Sequence, residues 1–439
     1  MTAVAATETP VIRDEPGTRE RIRTILVLGS LIAIAPLTID TYLPALPSIT
    51  ADLHTTATAV QLTLTGTLLG LAVGQLLIGP VSDAVGRRLP LITGLALHVL
   101  ASLLCVVAPN VAVLGTLRVL QGLGAAAAGV VASAVVRDLF TGLAAAKVFS
   151  RLMLVIGVAP ILAPTLGSQV LRWTSWRGVF GLLAVLGLGL VTIAVFTLRE
   201  TLPPHRRQRD GLPGTVRAYG QLLRDRTFVG LILVAGLSMA ALFAYVAGSS
   251  FVFQQQYGLS VQQFGLVFGA GAAGLIGASQ LNVRLLGRFT PQQVLSAAVV
   301  IGSVAGLLLL AFAISGLGGM FTVLPSLWLV LAAGGLALPN APAIALSRHG
   351  DAAGTAAALL GAAQFGVGAI AAPLVGALGT TATAIGIVVA GGMLSALAVL
   401  VLVVRPGRAD LTAAPAEPDG LSLGADPEIL ERNGYPSTV

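Results

Sequence analysis

The chain has 439 residues, of which 56% are hydrophobic and only 10% carry charge. Soluble domains average about 25% charged residues, so no water-facing surface of ordinary polarity can be built from this composition, and the chain reads as an integral membrane protein. The formal net charge of +7 is spread over many short segments, which leaves nucleic-acid binding without support and points to topology and lipid headgroups.

Residues 1–22 mix acids, prolines and arginines; they read as a cytoplasmic N-terminal tail with no cleavable signal peptide. Twelve apolar runs follow, each near the roughly 20 residues that cross a hydrocarbon core about 30 Å thick. The first six lie at Arg23 to Leu46, Thr58 to Gly79, Leu89 to Ala108, Val111 to Val136, Ala144 to Leu171 and Trp176 to Leu198. The segment 199–226 is rich in arginine, proline and glycine and reads as a cytoplasmic linker, with a short interfacial helix around Val216 to Leu223. The remaining six runs lie at Thr227 to Ser249, Val261 to Leu286, Gln292 to Ser315, Pro325 to Ser347, Gly354 to Leu378 and Ala382 to Val404. Beyond them, residues 405–439 have the composition of a disordered cytoplasmic tail. The runs are long and do not alternate, so they are helices and not barrel strands. The expected fold class is all-α integral membrane: twelve transmembrane helices in two six-helix bundles, 23–198 and 227–404, related by pseudo-twofold symmetry.

Placing both termini in the cytoplasm puts every Lys and Arg except Arg118, Arg172 and Arg177 on that side, a strong positive-inside bias. Arg118 is then the one basic residue inside the membrane. An Arg at a helix centre costs roughly 2.5 to 3.5 kcal/mol on insertion scales, so it calls for a partner and a function. Of the 18 acids, only Asp40 falls well inside a predicted span. Counting about 1.5 Å per residue puts Asp40 about 10 Å and Arg118 about 12 Å below the outer boundary. The two charges are therefore level, which makes each a candidate partner for the other. Cys105 stands alone, the four histidines are widely separated, and no nucleotide cradle or nucleophile constellation is present. No enzyme is expected from this inventory.

Two motifs carry a resemblance. Gly79, Asp83, Gly86, Arg87 and Arg88 lie between the second and third runs, and a degenerate copy at Arg284, Gly287 and Arg288 lies between the eighth and ninth. Leu114, Arg118, Gln121, Gly122, Gly124 and Ala125 reproduce a helix-four signature. With these residues the chain resembles the drug:proton antiporters of the major facilitator superfamily. Asp40, Tyr42, Pro44 and Pro47, Arg137 with Asp138, and Trp176 with Arg177 look like its bicyclomycin and chloramphenicol resistance (Bcr/CflA) subfamily. The fifth run departs from the antiporter pattern: Gly157, Pro160, Pro164 and Gly167 are respaced, and their kink either governs cavity closure or is an ordinary membrane-helix bend.

The resemblance implies neighbouring first and fourth helices that line a cavity, so that a direct or water-bridged pair of Asp40 with Arg118 is expected, and an inner-face latch in which Asp83 accepts from basic groups such as Arg137. Asp83 could also face the N-terminus of the eleventh helix near Gly354. Proton coupling is expected at Asp40, Arg118 and Gln121, with the pair either switching during the cycle or locking two helices permanently. Tyr42, Gln61, Thr65, Phe243, Tyr245, Asn340, Gln364 and Phe365 are candidate substrate contacts, which together describe an apolar pocket with few polar groups. The expected function is proton-coupled export of drug-like or amphiphilic small molecules by a monomer in a bacterial plasma membrane. Its partners would be the bilayer, a small organic substrate and protons, with no cofactor beyond the coupling proton and no metal. Export of a dedicated metabolite, such as a sugar, an amino-acid derivative or an endogenous antibiotic, and a transport-inactive receptor stay open as alternatives.

Overall fold

The structure is a computed structural model and describes residues 18–207, 211–349 and 352–405. Among the described residues twelve helices are long and apolar enough to cross a bilayer. Those of the first half are α1 (Thr18–Asp40), α2 (Ala57–Val85), α3 (Arg88–Val106), α4 (Val111–Leu139), α5 (Gly142–Trp173) and α6 (Trp176–Thr197). The second half holds α7 (Arg226–Phe251), α8 (Val261–Leu285), α9 (Pro291–Ser315), α10 (Met320–Ser347), α11 (Ala353–Ala377) and α12 (Ala382–Val399). The linker carries a helix Gly211–Leu222, which begins earlier than the expected Val216. Both expected tails, 1–22 and 405–439, fall almost wholly outside the described residues.

Polar caps set several helix starts. Thr56, Asn110, Ser175, Asp225, Ser260, Thr290 and Thr381 each accept a first-turn amide through a side-chain oxygen. This satisfies a donor that has no intrahelical acceptor. The first apolar run is not one helix: α1 stops at Asp40, and a tight turn leads into short helices at Leu43–Ala45 and Leu46–Asp52. Pro44 and Pro47 explain the break, because neither can donate to the carbonyl four residues earlier.

Glycines set the closest helix contacts. A Cβ at Gly122 of α4 would lie 2.1 Å from the Thr67 carbonyl of α2, and one at Gly70 of α2 would lie 2.1 Å from the Val119 carbonyl of α4. On the other side of α4, Gly124 lies as tightly against Gly94 and His98 of α3. Such small-residue contacts replace the hydrophobic effect as the source of cohesion between helices in lipid.

The halves meet where α2 packs on α11 and α5 on α8. Three side-chain hydrogen bonds join half to half among the described residues: Gln61 Nε2 to the Ala247 carbonyl (3.0 Å), Ser168 Oγ to the Val261 carbonyl (3.0 Å) and Gln254 Nε2 to the Pro44 carbonyl (3.3 Å). All three lie at the end of the molecule opposite the arginine-rich loops. At the arginine-rich end the linker helix reaches α2 through Tyr219 Oη and the Leu76 carbonyl, 3.0 Å apart.

Gly122→Ala forces the α2 backbone away from α4, and overpacking of this kind costs about 1–3 kcal/mol. The variant is expected to melt below the parent in detergent. Gly129→Ala, on the same helix with nothing within 4 Å of the added carbon, is expected to melt with the parent or above it.

Candidate functional site

Arg118 is fully buried on α4. Its Nη1 donates to the Gln121 Oε1 (2.5 Å) and to the Thr38 carbonyl (3.1 Å) near the end of α1. Thr38 lies in the last turn of α1, where carbonyls run out of amide partners. The guanidinium carbon sits 4.5 Å from the Tyr42 ring centroid and 5.7 Å from that of Phe180 on α6, so two aromatic faces shelter the cation. Nε and Nη2 have no hydrogen-bond partner.

A chain of bonds fixes this geometry from behind. Gln121 Nε2 donates to Ser102 Oγ (2.7 Å), Ser102 Oγ donates to the His98 carbonyl (2.7 Å), and His98 Nδ1 lies 3.2 Å from the Gln121 carbonyl. Tyr42 is held by Thr63 Oγ1 at 2.6 Å; since that hydroxyl gives its own proton to the Val60 carbonyl, Tyr42 is the donor. Cys105 is buried and unpaired beneath the same cluster.

The direct pair expected between Asp40 and Arg118 is not formed. No ion pair joins them among the described residues; the guanidinium contacts the chain on either side of Asp40, at Thr38 in α1 and at Tyr42 in the turn that follows. Asp40 is the last residue of α1, and it interacts electrostatically with Tyr245 of α7. Asp40 is 6% exposed and makes no hydrogen bond among those described. Tyr245 Oη is also buried without a partner, as is Trp328 Nε1 of α10. Both atoms lie 3.1 Å from the position of a Cβ added to Gly271 of α8, so three helices of the second half bring two donors to one point. Phe268 stacks on Tyr245 at 4.9 Å.

The other expected substrate residues divide. Phe243 and Phe365 stand together with ring centroids 6.2 Å apart, and Thr65 keeps an unpartnered hydroxyl. Gln364 is partly buried. Tyr42 belongs to the Arg118 shell, and Gln61 ties the two halves together at 3.0 Å. Asn340 donates to Asn282 Oδ1 and to the Leu336 carbonyl, both at 2.7 Å, so its amide is spent on helix packing and is not free for a ligand.

In α5, Gly167 lets the helix approach the broken end of α1: a Cβ there would lie 2.0 Å from the Thr41 carbonyl. Gly157 faces Ile276 of α8. Pro160 and Pro164 lie within the continuous helix, and Ser168 Oγ donates to the Pro164 carbonyl at 2.7 Å.

At the arginine-rich end, the loop motif is wired through Arg87 and not through Arg137. Arg87 bonds Asp83, Ser82 Oγ (2.9 Å) and Asp138 Oδ2 (2.9 Å), and Thr201 Oγ1 donates to the same Asp138 oxygen at 2.8 Å. Arg137 is exposed with no ion pair, and no hydrogen bond joins Asp83 to Gly354 among the described residues. Glu200 completes the knot by accepting the Arg87 amide (2.8 Å), the Arg88 amide (3.2 Å) and the Leu202 amide (3.0 Å). Gly86 is required twice: its φ is +104°, and a Cβ would fall 2.5 Å from Glu200 Oε2. Asp138 appeared in the sequence only as a neighbour of Arg137, and Glu200 gave no signal because it approaches from a distant loop. The degenerate copy at Arg284, Gly287 and Arg288 makes no side-chain bonds of this kind among the described residues.

Burial works against the Arg87 cation, and its bonds to Asp138 and Asp83 more than offset this, holding it above its ordinary value. Partial burial would raise the Glu200 carboxyl, but the three amides and the charge of Arg207 bring it below its ordinary 4.5.

Two six-helix bundles that meet around buried, partly unpartnered polar groups define a membrane carrier scaffold. The chain belongs to the Major Facilitator Superfamily, whose family model matches residues 28–373. It is 39% identical to the uncharacterized MFS-type transporter YdgK of Bacillus subtilis, covering 84% of this chain and 92% of that one. It is 32% identical to a bicyclomycin resistance protein homolog of Haemophilus influenzae (81% and 89%) and 30% identical to the multidrug resistance protein MdtL of Escherichia coli (88% and 96%). Among solved structures, the fold is similar to the xylose transporter XylE from E. coli, with a TM-score of 0.69 at 14% identity (88% and 98%). It is likewise similar to the nucleoside transporter NupG, with a TM-score of 0.69 at 11% identity (87% and 99%).

Arg118→Lys keeps the charge but replaces the planar guanidinium, whose Nη1 reaches both Gln121 and Thr38 and which lies against the Tyr42 and Phe180 rings, with a shorter ammonium. Leaving one buried acceptor unmet costs about 1–3 kcal/mol, so the variant is expected to melt lower than the parent by that margin. The Glu200 contribution is present above pH 4.5 and lost as pH falls through the depressed value. The melting temperature of the parent should therefore exceed that of Glu200→Gln at neutral pH, and the gap should close in acid.

Proposed function

We propose that the protein is a proton-coupled exporter of drug-like or amphiphilic small molecules, acting by alternating access as a monomer in a bacterial plasma membrane. Its arginine-rich end, with both termini, faces the cytoplasm, in keeping with the positive-inside distribution. The relatives named for bicyclomycin and multidrug resistance support the substrate class.

The observation that carries the coupling is Asp40, an acid buried without an ion pair among the described residues and interacting electrostatically with Tyr245 of the other half. A proton entering from outside neutralises it, which removes the cost of enclosing a charge between the bundles and alters its interaction with Tyr245. Loss of the proton toward the cytoplasm restores the charge. A proton or a ligand drives the cycle only by binding the two cavity states differently, and Asp40 stands where the states differ. Arg118 keeps the end of α1 on α4 and supplies a fixed positive field, while Gln121 orients it. In this orientation the bonds of Gln61, Ser168 and Gln254 close the exterior mouth. The kinked α5, with Gly157, Pro160, Pro164 and Gly167, bends as that mouth opens.

Substrate enters a largely neutral wall in the second half, with Phe243, Phe365, Tyr245 and Trp328 as its aromatic and donor groups. Asp40→Asn in proteoliposomes under a pH gradient is expected to lower uphill transport by about a hundredfold or more, while downhill exchange persists. Undiminished uphill transport would remove Asp40 from the coupling role.

A further inference from the structure

A groove of about 500 Å³ runs along the lipid-facing side of the first bundle, between α1, α5 and α6. Gly29, Ile34 and Leu190 form its buried floor, and Leu26 and Val185, 66% and 68% exposed, form its rims. Ser30 is the one polar lining residue, and its hydroxyl is spent on the Leu26 carbonyl at 2.9 Å. No lining side chain is left to donate a hydrogen bond to a polar ligand. At Gly189 an added Cβ would meet nothing within 4 Å, so the absent side chain leaves the groove open.

Length and charge say what fills it. The α1 wall runs from Ile25 to Leu37, about 18 Å at 1.5 Å per residue, close to the roughly 15 Å depth of one leaflet. Each wall ends on an arginine at the same end of the groove: Arg23 just before Ile25 on α1, Arg151 one turn before Val155 on α5, and Arg199 just after α6. All three are exposed, and none makes an ion pair or hydrogen bond among the described residues. Glu200, the acid next to Arg199, is already occupied by the amides of Arg87, Arg88 and Leu202.

We propose that this groove binds one anionic phospholipid, its acyl chain along α1 and its phosphate among Arg23, Arg151 and Arg199. The chain lies dry against Gly29 and Gly189, and the basic mouth selects the headgroup. Because the groove ends at Leu37, one turn before Asp40, a bound lipid braces the helix whose end Arg118 holds. The inference stands apart from the transport reading, since it concerns the outer surface of the bundle and is measured without any substrate.

The test is native mass spectrometry of the full chain exchanged into mixed micelles of phosphatidylglycerol and phosphatidylcholine. One phosphatidylglycerol is expected to remain bound in preference to phosphatidylcholine. Each arginine should contribute about a fivefold preference, so the Arg23→Gln, Arg151→Gln, Arg199→Gln triple variant should lose about a hundredfold of it. Gly189→Phe, which fills the groove, should abolish retention of either lipid, and the milder Gly189→Leu should weaken it; an unchanged melting temperature in either variant certifies the fold. Equal retention of the two lipids by the parent would overturn the proposal. So would retention that survives both groove-filling variants, or a preference for phosphatidylglycerol that the triple variant leaves unchanged.

Discussion

A guanidinium inside a membrane must find its acceptors within the protein, because the surrounding hydrocarbon offers none. Arg118 finds them in a carbonyl at the end of α1 and in the amide of Gln121, with Tyr42 and Phe180 closing over its faces. Several features follow from that need. The α1 break supplies the acceptor and the ring; Ser102 and His98 hold Gln121 in place; and the glycines of α2, α3 and α4 allow the backbones close enough for these short side chains to meet. A residue that is costly in isolation becomes the fastening of three helices.

The halves share an architecture but not a distribution of charge. The first bundle holds the buried arginine, the buried acid and the Arg87 knot, while the corresponding Gly287 and Arg288 turn carries no such knot among the described residues. The second bundle holds neutral polar groups, some paired as in Asn282 with Asn340, others unmet as in Tyr245 and Trp328. This asymmetry places a charged element against an uncharged surface. Buried donors without partners cost free energy, so a second arrangement or a ligand that satisfied them would be favoured.

Much of the fold was legible because its signal is one-dimensional. Twelve apolar runs emerge from counting, and the caps at Thr56, Asn110 and Ser260 fall where an apolar run meets a polar residue. The candidate site was legible in its members and not in its contacts. Counting rise along a helix gives depth, and it singled out Asp40 and Arg118, which are both buried within their spans; it gives no rotation about the axis. Asp40 lies within α1, before the break, and the rotation of that helix presents the Thr38 carbonyl and not the Asp40 carboxyl to Arg118, although the two charges were reckoned level. Asn340 failed as a cavity residue for the same reason: its partner Asn282 lies on another helix.

By itself, the sequence determined the membrane environment, the number of spans, the linker and the identity of the rare buried charges, because each depends on composition or on spacing along one chain. Only the tertiary structure decided that Arg118 caps α1, that Arg87 and not Arg137 gathers Asp83 and Asp138, that Glu200 seats on the Arg87 and Arg88 amides, and that Trp328 joins Tyr245. Each of these is a meeting of atoms from distant segments, set by helix rotation, by breaks at proline and by how closely glycine lets two backbones approach.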